Sequence, residues 1–301
     1  MRWSALLALG LALLPRPSSA CLDCGGPVLT DARGTPDPLL PGELALVVNV
    51  GGAWLEEGPV PGEDPAGQSG GDTAFVEVRP VLSLGFSHRW SVELQVPLRH
   101  ARTWGPAGGS RAAVGFGDPA LSVRMAAPLF AWTLVGSAGA TLPVGSSGAL
   151  DPTGRAVTVL GAGTATPIAS LELTRSVGPA WLRGSVLAFV PLAAGKAGTR
   201  AKGRVQGSVF AELPVSRRWL LGAGVDVLQE LPGSRVDGRP PEPARTRALV
   251  GASARLWLGV WSARFTVKAA PWERGAMGAE RFAAMPLSGN VAFETRFDVG
   301  T

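Results

Sequence analysis

Residues 90–99 read Trp-Ser-Val-Glu-Leu-Gln-Val-Pro-Leu-Arg, apolar positions alternating with polar ones. In an extended strand Trp90, Val92, Leu94, Val96 and Leu98 share one face, and Ser91, Glu93, Gln95 and Arg99 share the other. The same period of two recurs along the chain. It predicts twelve strands, at about 43–54, 73–86, 90–101, 115–127, 130–142, 162–175, 180–192, 204–215, 219–230, 245–257, 260–270 and 286–299. Each reaches the roughly nine to eleven residues that a tilted strand needs to cross a bilayer.

The connections alternate strictly in length. Short ones fall at Ser87-His88-Arg89, Pro128-Leu129, Ser176 to Pro179, Ser216-Arg217-Arg218 and Leu258-Gly259. Long ones, rich in Gly, Pro, Ser and Asp, fall at 55–72, 102–114, 143–161, 193–203, 231–244 and 271–285. An even number of strands with both ends on the short-turn side is the topology of a bacterial outer-membrane barrel, its turns in the periplasm and its loops outside. The fold expected is therefore all-β: a single antiparallel up-and-down transmembrane barrel.

Tryptophan placement points the same way. Trp90, Trp132, Trp181, Trp219 and Trp261 each lie within the first three residues of a strand that follows a short turn. With Phe297 they form one candidate belt at the membrane interface, and Trp54, Trp104 and Trp272 lie beside the long connections. The competing reading is the aromatic core of a soluble β-sandwich, which has no reason to sort its loops by length on two sides. Some residues fit less well. Pro80 and Pro167 fall inside strands, where a proline removes a ladder donor. Segments 162–175 and 180–192 alternate weakly, and Trp257 points inward in this register.

Composition agrees with such a wall. The chain is 46% hydrophobic and only 17% charged, with a mean hydropathy of +0.21, where soluble domains carry about a quarter charged residues. Met-Arg-Trp-Ser, the apolar run Leu6 to Leu14 and the small residues Ser18 and Ala20 read as a signal peptide over 1–20. A Cys/Gly/Pro-rich periplasmic leader over 21–42 and a barrel over 43–301 complete the expected division. Past the signal no run of eighteen apolar residues provides a helical span. The net charge of +5 comes from scattered arginines, with Lys196, Lys202 and Lys268 the only lysines. Singly placed arginines form no basic patch, which argues against a nucleic-acid partner.

The polar phase of the strands supplies the candidate lumen. Its cations are Arg79, Arg99, Arg124, Arg183, Arg204, Arg247, Arg255, Arg264, Lys268 and Arg296. Facing them are Glu77, Glu93, Glu172, Glu212, Asp226 and Glu294. An arginine on the lipid face costs about 2–4 kcal/mol at the midplane, so these charges must point inward. They are read first as ladders that hold the wall and fill the bore, and second as a cationic path for anionic solutes.

Other chemistry is sparse. Cys21 and Cys24 form a Cys-x-x-Cys read first as a local disulfide in an oxidising compartment and second as a redox or soft-metal handle. Lipidation at Cys21 would need a large aliphatic residue where Ser18 stands, and haem attachment a histidine where Gly25 stands. One cysteine pair does not complete a zinc site. His88 and His100 belong to no catalytic motif, and the acidic first loop (Glu56, Glu57, Glu63, Asp64, Asp72) reads as solvated surface. No enzyme activity, metal or cofactor is expected.

The segment Gly115-Phe116-Gly117-Asp118-Pro119-Ala120-Leu121-Ser122-Val123-Arg124 resembles the Gly-x-Gly-Asp-x-x-Leu segment of the outer-membrane proteins grouped with the meta-pathway of phenol degradation. The Cys-rich leader resembles that of exported, transporter-like proteins of GC-rich proteobacteria. The resemblance implies a barrel that passes small, hydrophobic molecules and has no catalytic residues. The chain departs from common barrels at its end, Phe297-Asp298-Val299-Gly300-Thr301, which lacks the terminal aromatic read by the outer-membrane assembly machinery. The expectation is a monomeric outer-membrane channel whose partners are the lipid bilayer, that machinery and a small solute. A closed barrel serving as a surface interaction module is the alternative, and an outer-membrane lipid enzyme comes third.

Overall fold

The computed structural model describes residues 39–57, 71–104, 110–145, 149–150, 156–158, 164–192, 203–231, 244–275, 280–282 and 287–298. The segment expected to be a signal peptide, most of the expected leader and both cysteines lie outside the described residues.

Along the chain the strands are β1 (Glu43–Glu57), β2 (Gly71–Gly85), β3 (Trp90–Gln95), β4 (Leu98–Trp104), β5 (Ser110–Phe116), β6 (Ala120–Leu129) and β7 (Trp132–Thr141). A small ribbon follows, β8 (Ala149–Leu150) and β9 (Ala156–Thr158). Then come β10 (Thr166–Val177), β11 (Ala180–Phe189), β12 (Arg204–Pro214), β13 (Trp219–Glu230), β14 (Arg245–Leu258), β15 (Trp261–Gly275), β16 (Glu280–Phe282) and β17 (Leu287–Asp298).

All but β8 and β9 form one antiparallel sheet, and β1 closes it by pairing with both β2 and β17. β3 and β4 are two halves of one wall strand, as are β6 and β5, while β16 pairs with the end of β15 beyond β17 and adds no further wall strand. The result is a closed barrel of twelve wall strands. Closure leaves no unpaired edge, which is what a β-structure in hydrocarbon requires. Glu43 pairs with Asp298, so β1 begins and β17 ends at the short-turn end.

The two half-strand breaks explain a proline that looked out of place. Pro80 faces the gap between β3 and β4, where the ladder passes from Val81↔Gln95 to Val78↔Leu98. Pro97 lies in the same gap, so both residues without an N–H meet where the ladder is already interrupted. Pro167 is the second residue of β10, at the strand's beginning. The second gap is Gly117-Asp118-Pro119, which interrupts the fourth wall strand. That segment was expected to open the strand; instead Asp118 Oδ1 accepts the N–H of Gly145 at 2.9 Å, beyond the end of β7.

Two turns lie later than expected. The β6–β7 turn is Phe130-Ala131 rather than Pro128-Leu129, and the β14–β15 turn is Gly259-Val260 rather than Leu258-Gly259. Pro128 stays in β6 because β3 begins at Trp90, opposite Met125, and offers no acceptor that far down. Gly259 supplies the positive φ of 72° that its two-residue hairpin needs, whereas Phe130 adopts φ 56° with a side chain. The β14–β15 register shifts between Ala248 and Val250, where Ala270 and Pro271 of β15 together oppose Leu249, again placing a proline where pairing slips.

Alternation governs burial. In β2 the odd residues Glu77, Val81 and Ser83 are buried, while Val76, Leu82 and Leu84 are 48%, 44% and 39% exposed. Val50, Leu94, Leu121, Leu171, Val186, Val209, Val225, Val250, Phe265 and Phe293 carry the exposed apolar phase around most of the circumference. An unbroken apolar band of this extent on a water-facing monomer would be an aggregation liability; facing hydrocarbon, it is the stable arrangement.

Candidate functional site

The inner wall is where the sequence placed its charges, and register decides which of them meet. Glu77 on β2 forms ion pairs with Arg79 on its own strand and with Arg99 of β4, the latter at 2.5 Å. The opposite residue on β1, Asn49, donates to the Arg79 carbonyl at 3.4 Å. Nearer the short-turn end, Glu93 accepts from Gln95 at 2.6 Å and from Ser83 at 3.5 Å, with Arg124 of β6 also at 3.5 Å.

A second group spans β12 to β15. Asp226 is 1% exposed, accepts from Gln206 Nε2 at 2.9 Å and from Ser208 Oγ, and forms an ion pair with Lys268 Nζ at 2.9 Å. Lys268 also sits 5.3 Å from the ring centre of Phe210, and Arg183 lies 5.9 Å from it on the other side. Glu212 reaches Arg264 at 3.1 Å across β13 and β14.

Glycines let these side chains lie along the wall. A Cβ on Gly224 would come within 2.5 Å of Phe210 Cγ, one on Gly251 within 3.1 Å of Lys268 Cγ, and one on Gly222 within 3.0 Å of Glu212 Cγ. The inward phase therefore alternates long side chains with bare backbone. Charges on β12 and β15 can pair although two strands separate them.

A third group lies at the short-turn mouth: Glu294 with Arg255 at 3.5 Å and Arg296 at 3.3 Å, and Arg296 with Glu43 at 3.6 Å. At the long-loop end Glu230 lies 3.8 Å from Arg247, with Arg204 opposite it in register. Glu43 and Glu230 were not among the expected lumen acids, and neither was Phe210. All three lie on the inward phase, but each sat at a strand terminus or looked apolar, so polarity alone passed over them. Adding the two glutamates narrows the surplus of cations.

The sector from β7 to β11 differs. Ser137 and Ser170 share a hydrogen bond, Thr141 Oγ1 accepts the Thr166 N–H at 3.1 Å, and Glu172 accepts from Thr174 at 3.4 Å. Ile168, Leu187 and Phe189 share this inward phase, which is why 162–175 and 180–192 alternate so weakly in sequence. Here the lumen wall itself is partly apolar. Leu39, just before β1, is 2% exposed and lines a small cavity at the short-turn mouth with Arg89, Trp90, Ser91, Arg124, Ala126 and Val135.

The belt aromatics divide. Trp90, Trp132, Trp219, Trp261 and Phe297 occupy the outward phase, and four of them are between 39% and 47% exposed. Trp181 does not join them. It faces Ser176 and Glu212 in register and so shares the inward phase with Arg183, at the short-turn mouth. Its position near a strand start fitted the belt, but the parity of β11 overrules it. Trp257 pairs with Ser262 on the inward phase, 5.9 Å from the Arg255 guanidinium.

No protein-family model matches the chain, and no match is found among curated proteins. The likeness of 115–124 to the meta-pathway proteins therefore stays with that segment. Solved structures are similar in fold. An outer membrane channel from Pseudomonas putida F1 superposes with a TM-score of 0.63 at 15% identity, over 87% of this chain and 100% of that one. The beta domain of the Bordetella autotransporter BrkA gives 0.52 at 14% identity, over 85% and 100%. At such identities the shared property is the architecture: this chain has the fold of an outer-membrane β-barrel.

Proposed function

We propose that the protein is an outer-membrane channel through which small solutes diffuse passively. The observation that carries this reading is the division of the wall between two solvents. The outer phase is an apolar band around the barrel, and the inner phase is charged or hydroxylated over most of its height. A barrel of twelve strands lies between small barrels filled by side chains and wide porins. Selectivity then rests on the ion-pair ladders, opposite a β7–β11 sector that offers hydroxyl and apolar surface to an uncharged or hydrophobic solute. The segment resembling the meta-pathway proteins supports the hydrophobic class, and no catalytic group or cofactor enters the reading.

Planar-bilayer conductance of the purified protein tests it: discrete steps are expected, and silence under all salts and voltages rejects passage. A closed barrel acting through its loops is the second reading. It is favoured by the near-complete burial of Glu77, Val81, Asp226 and Phe210, each no more than 2% exposed. That reading predicts partner binding that survives lumen substitutions and no conductance.

A further inference from the structure

Two short turns, far apart in sequence, are built alike. Phe86-Ser87-His88-Arg89-Trp90 leads from β2 into β3, and Val215-Ser216-Arg217-Arg218-Trp219 leads from β12 into β13. In the first, Ser87 Oγ accepts the N–H groups of Arg89 and Trp90 at 3.3 and 3.1 Å; in the second, Ser216 Oγ accepts those of Arg218 and Trp219 at 3.2 and 3.1 Å. Phe86 and Val215 each donate their N–H to the carbonyl of the closing tryptophan, at 3.1 and 3.0 Å. The carbonyls of Arg89 and Arg218 accept from the neighbouring strands, from Ala126 at 2.7 Å and Trp257 at 2.9 Å. Six wall strands of twelve separate the two turns, so they lie on opposite sides of the barrel.

Each turn leaves the same chemistry at the rim. Phe86 and Val215 are 58% and 54% exposed, and Trp90 and Trp219 are 43% and 39% exposed on the outward phase. Between them stand Arg89 in one turn and Arg217 with Arg218 in the other. Their guanidinium groups form no hydrogen bond or ion pair with any described residue. By contrast the lumen arginines Arg79, Arg99, Arg124, Arg247, Arg255, Arg264 and Arg296 each form an ion pair with a carboxylate. An exposed arginine one or two residues before an interfacial tryptophan, next to exposed apolar surface, stands at the depth of the phosphate diesters when the barrel sits in a bilayer. Arg175, on the outward phase of β10 and 5.6 Å from the Trp132 ring centre, adds cationic character to the same rim.

We propose that the two Ser-x-Arg-Trp turns are paired binding sites for phospholipid headgroups, each taking one lipid phosphate on its arginines with an acyl chain against its tryptophan. Two such sites on opposite flanks hold the barrel level in the membrane. The proposal rests on the membrane setting argued above but not on solute passage.

Native mass spectrometry of the detergent-purified barrel, incubated with dioleoylphosphatidylglycerol, tests it. Wild type retains two lipids, Arg89→Gln loses one, R217Q/R218Q loses the other, and the triple variant retains neither. Retention falls roughly five-fold for each arginine removed, the factor equivalent to about 1 kcal/mol per cation at an anionic surface. Lysine at all three positions restores retention, and β-sheet circular dichroism of each variant verifies the barrel. Equal retention by wild type and the folded triple glutamine variant overturns the proposal. Equal retention of dioleoylglycerol, which has no phosphate, overturns it too, and so does binding of inorganic phosphate as tight as that of the lipid. Conductance in the same preparations separates the two readings: a lipid-binding barrel that passes no ions rejects only the channel.

Discussion

Lys268 Nζ on β15 lies 2.9 Å from Asp226 Oδ2 on β13, reaching over the bare backbone of Gly251 on the strand between them. Asp226 is 1% exposed, so the pair stands where an unmatched charge is expensive. Breaking a buried pair by removing one partner costs about 3–5 kcal/mol, although the intact pair adds little net stability. Asp226→Asn is therefore expected to lower the unfolding midpoint in detergent by that order. Lys268→Met combined with Asp226→Asn recovers most of the loss. A double variant no better than D226N alone would show that the two side chains are not coupled.

Glu77 is the shared counter-charge of Arg79 and Arg99. Glu77→Gln leaves two guanidinium groups facing the bore without their shared counter-charge. In a conducting barrel this shifts the reversal potential under a salt gradient towards anion preference, whereas Arg79→Gln shifts it the other way. Selectivity unchanged in both variants would place the ion path away from this ladder.

Gly224 accommodates Phe210: a Cβ there would meet Val209 O at 2.3 Å and Phe210 Cγ at 2.5 Å. Gly224→Ala must displace the ring from its place beside Lys268, at about 1–3 kcal/mol as for other overpacked sites. Gly207→Ala is the control, since nothing lies within 4 Å of its Cβ. Urea unfolding of both variants in the same detergent compares them directly.

Val225 is 51% exposed on the outward phase of β13, and Val260 is 74% exposed in a short turn. Val225→Arg should cost up to about 2–4 kcal/mol near the midplane, falling toward zero at the interfaces. Val260→Arg, at the water boundary, is expected to be nearly neutral. Reversible folding into lipid vesicles measures both, and equal costs would mean that the outer band does not face hydrocarbon.

Much of this wall was legible in the chain because one physical requirement repeats at every second residue. Strands such as Trp219–Glu230 keep the boundaries expected of them, and the turns Ser87-His88-Arg89 and Ser216-Arg217-Arg218 fall where hydrophilic residues interrupt the alternation. The reading failed where a residue's type and its phase disagreed. Trp181 looked like a belt tryptophan and Phe210 was not among the expected lumen residues, yet both occupy inward positions fixed by the pairing of β11 with β12. Pro128 looked like a turn and remains in a strand, since only the three-dimensional neighbour shows that no ladder bond is lost there.

The sequence by itself determined that this is a barrel, how many strands it has and which phase must avoid lipid, because hydrocarbon penalises every misplaced charge one residue at a time. Tertiary structure alone decided which charges meet. Pairings such as Glu212 with Arg264 and Asp226 with Lys268 depend on register between strands and on the glycines that let side chains cross them, and neither is a property of any single strand.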